Sequence, residues 1–193
     1  NQSFRYFTDP DFPEGIKAIT SDYYAFYKAF RLFSNPKTVD INLLTVAGID
    51  WSNQASLVDE VIDMVENERC DALYLVASPD STDNTVAGLI SPKEVAQLMT
   101  DSGFDTKFAT TFYPNIQYAD TENDSRYIWL SPIKDLVRSI AYTDNIAYPW
   151  FAPVGFARGN VSAIRARTKL KVADTEYLTS ANINYVETFT AEG

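Results

Sequence analysis

Val39–Ala77, VDINLLTVAGIDWSNQASLVDEVIDMVENERCDALYLVA, decides the fold class. Its opening, Val39 to Gly48, has the β-branched, apolar character of a buried strand. From Ser52 to Asn67 the pattern changes period, and Leu57, Val61, Ile62 and Val65 fall on one face of a helix. Asp71 to Ala77, DALYLVA, is again an apolar strand. Strand, helix and strand at this spacing form a βαβ crossover, which makes the strands parallel neighbours in a sheet covered by helices.

Upstream, Ser21 and Asp22 are natural N-caps for YYAFYKAFRLFS, in which Tyr23, Phe26, Tyr27, Phe30 and Phe33 recur at helical spacing. Such an aromatic face serves core packing, or part of it serves docking. Asn35-Pro36 ends the helix, because the residue before proline is pushed out of the α region. The stretch before it, SFRYFTDPDFPEGIKAIT, reads as irregular structure or a short strand.

Downstream, Ser91-Pro92 opens a helix that Gly103 terminates, and Lys107 to Tyr113 is a third strand. Residues 114–126, containing the polar run ADTENDS, read as an exposed loop. Tyr127 to Leu130 returns as a strand. Ser131-Pro132 then opens a helix with Ile133, Leu136, Val137, Ile140 and Ala141 on one face. From Arg165, RARTKLK alternates basic with small or apolar residues, the period of a half-exposed strand with one cationic face. That face is either solvated or meets an acidic surface on a neighbouring copy. The expectation is one α/β domain over 1–193, a mixed, partly parallel central sheet flanked by helices.

Composition removes several function classes. The 193 residues carry 16 basic and 26 acidic side chains, a formal net charge of −10, so a polyanion such as nucleic acid is repelled; the charge is equally a solubility device. There is no histidine, which removes the commonest general base and the Ser-His and Cys-His pairs. Cys70 is the only cysteine, leaving no intrachain disulfide and no Cys-based metal framework. No apolar run approaches the ~20 residues of a bilayer span. The reading is of a soluble protein made in a reducing cytoplasm, without cofactor or catalytic site. No Gly-rich phosphate motif and no Gly-x-Ser-x-Gly occurs. Paired carboxylates at Asp59-Glu60 and at Asp63, Glu66 and Glu68 lie on one helix, a solvated face or one for a basic partner, not two sides of a cleft.

One metal-binding alternative stands beside this. Asp50-Trp51-Ser52-Asn53-Gln54 follows a strand and partly resembles the Asp-x-Ser-x-Ser metal site of von Willebrand A-type adhesion domains, with Asp50 and Ser52 as ligands and Asp80, Ser81, Thr82 and Asp83 nearby. Gln54 replaces the second serine. The simpler reading makes Ser52 or Asn53 a helix cap and Asp50 a turn residue.

The most specific stretch is residues 145–160, NIAYPWFAPVGFARGN, with Asn145, Tyr148, Pro149, Trp150, Ala152, Pro153, Gly155, Phe156, Arg158 and Gly159. This loop, with the preceding strand and the helix ending Thr143-Asp144, resembles the signature region of contractile bacteriophage tail sheath proteins. Glu68 to Asp80 and Tyr177 to Asn184 add to the resemblance, whereas Ser131-Pro132-Ile133 departs from the family's usual Pro-Ser-Gly opening. The resemblance implies a structural protein, not an enzyme. It implies a subunit forming stacked hexameric rings with other sheath subunits around a tail tube protein, between baseplate and tail terminator, and contracting to drive the tube through the host envelope. It places the protein in the virion, and in the host cytoplasm during assembly. This chain would be the core of a longer subunit, without the terminal arms that link neighbours.

Within the loop, Pro149 and Pro153 fix φ, Trp150 and Phe151 are expected as buried anchors, and Gly155 permits a turn closed to other residues. Arg158, Arg165, Arg167, Lys169 and Lys171 are the candidates for contacts between subunits.

Overall fold

The computed structural model describes residues 21–46, 48–80, 89–122 and 126–188, with backbone alone at 21, 22, 52 and 53. The expectation for residues 3–20 lies outside this range. The elements are α1 (Ser21–Arg31), β1 (Leu43–Leu44), α2 (Trp51–Asp63), β2 (Leu73–Ala77), α3 (Pro92–Asp101), β3 (Ala109–Tyr113), β4 (Ile116–Asp120), β5 (Arg126–Leu130), α4 (Ile133–Ile146), α5 (Gly155–Arg158), β6 (Arg165–Ala166), α6 (Val172–Ser180) and β7 (Asn184–Tyr185). A wider π-helical turn, Met64–Arg69, continues α2 and ends at Cys70 in the left-handed region, whose N–H returns to Val65 O at 2.8 Å.

Two sheets form. The first is wholly parallel in the order β1-β2-β3-β7, and the second is antiparallel in the order β5-β4-β6. The expected mixed, partly parallel α/β architecture is therefore present. Alternation along β2 sorts the layers: Tyr74 and Val76 point into a core shared with α1, α2, α3 and α6, while Leu73, Leu75 and Ala77 face α4. One face of the parallel sheet is thus fully covered, and the other is covered by a single helix.

Helix ends follow local chemistry. Ser91 caps α3 in a complete capping box, its hydroxyl accepting from Glu94 N–H while the Glu94 carboxylate accepts from Ser91 N–H at 2.8 Å. The paired hydroxyl and N–H of Ser91 hold the Glu94 carboxyl below its ordinary range. Gly103 ends the helix at φ +71°, where a side chain is disfavoured.

The observed elements differ from the expected ones in three places. The strand read over Val39 to Gly48 pairs only at Leu43–Leu44, because Thr45 turns its hydroxyl onto Leu75 O at 2.9 Å in place of a ladder bond; pairing resumes at Asp50 opposite Ala77. Residues 114–126 are not an exposed loop. Ile116–Asp120 is the central strand of the second sheet, with Ile116, Gln117 and Tyr118 buried, and the polar run begins at its last two residues. The alternating stretch from Arg165 is a strand for two residues only. Beyond it Lys171 begins α6, whose first turn is tied by Lys171 N–H to the Asp174 carboxylate at 2.9 Å.

Candidate assembly surface

Helix α4 carries the signature loop, and two of its side chains fix the loop's base. Asp135, almost fully buried, accepts from the Tyr118 hydroxyl at 2.8 Å and from Ser162 N–H at 2.9 Å, joining α4 to β4 and to the loop's return. Burial first, and Asp135 second, push the Tyr118 hydroxyl pKa upward. One turn on, Arg138 donates to Ser162 Oγ at 2.7 Å and to Asn160 O at 3.1 Å. Neither Asp135 nor Arg138 stands out in sequence, where both read as polar positions of an amphipathic helix.

Between these anchors the loop projects outward. Phe151 N–H closes a turn on Tyr148 O at 2.9 Å, and Tyr148 and Trp150 stack with ring centroids 4.6 Å apart and planes 3° from parallel. Trp150 is 77% exposed and Tyr148 60%. The expectation that Trp150 is a buried anchor is therefore corrected. The turn places its ring on the outer side of Tyr148, and Phe151, 43% exposed, is the residue that leans inward. Gly155 adopts φ +80°, as the tight entry to α5 requires. Gly159 is required for a different reason: a Cβ there would stand 2.8 Å from Val154 Cα and 2.9 Å from Pro153 O, both backbone.

Of the five basic candidates, the structure gathers some and separates others. Arg158 lies over the Phe151 ring at 5.1 Å. Arg165 donates to Gln117 Oε1 at 2.9 Å and lies over Trp129 at 5.5 Å. Arg167 shares that face, 5.6 Å from Trp129, but its side chain is buried in an ion pair with Asp80 at 3.0 Å, so it does not belong to a surface stripe. Lys169 and Lys171 are exposed, past the end of β6.

Asp80 is the hub of that region. Beyond Arg167 it accepts from Asn115 N–H at 3.2 Å, and its carbonyl accepts from Ile90 N–H at 3.1 Å. Burial raises its carboxyl pKa against the opposing pull of Asn115 and Arg167. Its oxygens are thus engaged within the fold. At the other position of the adhesion-type alternative, Gln54 is buried and its Oε1 accepts from Asp50 N–H at 3.0 Å. The side chain of Ser52 and all of Ser81, Thr82 and Asp83 lie outside the described residues. Among the described residues no three Cys, Asp or Glu side chains converge as a metal site.

Beside the projecting loop, the uncovered part of the parallel sheet forms an open groove of about 310 Å³. Its floor is Leu43, Leu73 and Phe112, and its walls are Leu136 and Ile140 of α4 and Phe151 of the loop, with Asp144 at the rim.

No family model matches the chain. Among curated proteins it is 27% identical to the tail sheath protein of Vibrio phage KVP40 over 84% of this chain and 26% of that protein. It is 26% identical to the tail sheath protein of Enterobacteria phage T4, over 82% of this chain and 26% of that protein. The chain spans about a quarter of the length of these relatives. The similarity thus covers more than four-fifths of the sequence, and the chain is a sequence relative of phage tail sheath proteins.

Proposed function

We propose that this chain is the core portion of a structural subunit of a contractile phage tail sheath. In this reading copies of the subunit stack as hexameric rings around a tail tube, between a baseplate and a terminator, and their rearrangement drives the tube through the host envelope. The observation that carries it is the similarity to two tail sheath proteins over most of the chain. The physical character of the fold agrees with it. The core is closed on one face of the parallel sheet, while aromatic surface is concentrated at a loop whose base is clamped by Asp135 and Arg138. A rigid domain displaying an ordered apolar projection suits rigid-body movement between packed subunits. Arg158, Arg165, Lys169 and Lys171 are proposed as contacts to acidic surface on neighbours, complementing the net charge of −10.

Immunogold labelling of virions with antibodies raised against this chain tests the reading. Decoration along the whole tail is expected. Labelling confined to the capsid or to the fibres would contradict it.

A further inference from the structure

The groove lies on the open face of a sheet whose strand order dictates how that face can be covered. In the order β1-β2-β3-β7 every step advances in the same direction, and all neighbours are parallel. Right-handed crossovers then put the connecting helices on one face, and α2, α3 and α6 do pack there with Tyr74 and Val76. A right-handed crossover lays its helix on the other face only where the strand order turns back. Among the described residues no step turns back, and the helix on that face, α4, comes from the excursion that carries the second sheet.

We infer that a further segment of the same polypeptide, downstream of β7, crosses the groove as an amphipathic helix and returns toward the outer edge of β1. The inference rests on the reading above in that the subunit is longer than this chain, which spans 26% of each relative.

Burial supports this path. Wholly parallel sheets are covered on both faces. Leu73 belongs to an inner strand, β2, yet it is only half-buried, as are Leu43 on β1 and Phe112 on β3. These three side chains are the groove floor, so the strip left open spans the strands that a connection from β7 back to β1 must cross. Leu136 and Ile140 of α4 wall one side and Phe151 of the loop the other. A groove of about 310 Å³ between them takes the apolar stripe of a helix lying along it. Asp144 at the rim sets the chemistry of the stripe's border, which should carry a lysine or arginine. Chain continuity favours such a segment over any separate molecule, since it holds the segment at high effective concentration.

Thiol reactivity of Ile140→Cys and Leu43→Cys, each in a Cys70→Ser background, tests this in two molecules, the present chain and the full polypeptide that carries it. Val172→Cys, at a position 79% exposed on α6, reports the opposite face. In the full polypeptide the two groove thiols should react about tenfold or more slowly, at every dilution, while the Val172→Cys thiol stays as reactive as in the present chain. Deleting the region downstream of Gly193 from the full polypeptide should restore the groove thiols to the faster rate. Hydrogen exchange of the parent sequence at Ile133–Ile146 gives the same comparison without substitutions, and should be slower in the full polypeptide. Equal rates in the two molecules overturn the inference. Protection that fades on dilution also overturns it, since another molecule would then be the cover, as does protection that survives the downstream deletion. None of these outcomes alters the virion labelling result, and labelling away from the tail would leave the thiol comparison standing, so the two readings are judged separately.

Discussion

Asp80 and Arg167, 87 positions apart in sequence, form an ion pair of 3.0 Å with both side chains almost wholly buried. The pair fastens the end of β2 to the strand that completes the second sheet, so it is a buried tie between the parallel core and the β4–β5–β6 layer. Breaking it from one side leaves an uncompensated buried charge. Asp80→Ala should therefore cost about 3–5 kcal/mol by chemical denaturation, whereas replacing both residues with apolar ones of similar size should cost much less. Equal losses for the single and double variants would contradict this account.

Arg69 organises the opposite end of the molecule. Its guanidinium donates to Phe33 O, to Val39 O at 3.0 Å and to Ile41 O at 3.4 Å, and grips both Asp71 oxygens at 2.9 and 3.2 Å. The planar fork meets acceptors that a lysine point charge cannot serve together. Arg69→Lys should lose roughly 2–4 kcal/mol, as carbonyls are left without donors, and hydrogen exchange should quicken at the segment after α1. A loss below about 0.5 kcal/mol, the range of a surface change, would show that the fork is dispensable.

Trp51 and Trp150 should behave oppositely. Trp51 is 4% exposed and meets Phe104 edge-on at 5.4 Å. Trp51→Ala is expected to cost about 3–5 kcal/mol, whereas Trp150→Ala should stay within about 0.5 kcal/mol in the isolated chain. Thermal melts of the two variants check the contrast, and similar losses would place Trp150 in the core after all.

Gly159→Ala should disturb the signature loop alone. The added methyl meets backbone of Val154 and Pro153 under 3.0 Å, which only a shift of the loop can relieve. A cost of about 1–3 kcal/mol is expected, with chemical-shift changes concentrated at residues 148–160. An unperturbed loop would mean that the Pro153–Gly159 approach is not held in solution.

The α3 capping box gives a pH signature. Because Ser91 lowers the Glu94 carboxyl pKa in the folded chain, the folded state binds that proton less readily than the unfolded one. Its contribution is present above the ordinary carboxyl value of 4.5 and is lost as pH falls through the lowered folded value. The stability gap between the parent and Glu94→Gln should accordingly close on acidification. A gap constant from pH 7 to pH 3 would assign the difference to something other than the carboxylate.

What was legible in the sequence was what is local. The period change across Val39–Ala77 reports β1–α2–β2 because side chains three or four apart share a helix face and alternate ones share a strand face. Ser91-Pro92 and Gly103 mark α3 through requirements of the backbone itself. By contrast, β4 was hidden by the polar run at its end. Its burial comes from β5 on one side and β6 on the other, the latter about 50 residues downstream. Arg167 read as one of a row of surface cations because nothing nearby in sequence announces Asp80. Trp150 read as an anchor because large aromatics are most often buried, whereas the turn from Tyr148 to Phe151 directs its ring outward.

The most direct measurement is negative-stain imaging of the full polypeptide that carries this sequence, expressed alone. The account predicts tubes or stacked rings of six-fold symmetry. Dispersed particles at every salt concentration, with no polymer on the addition of a tail tube, would contradict the assignment to a sheath.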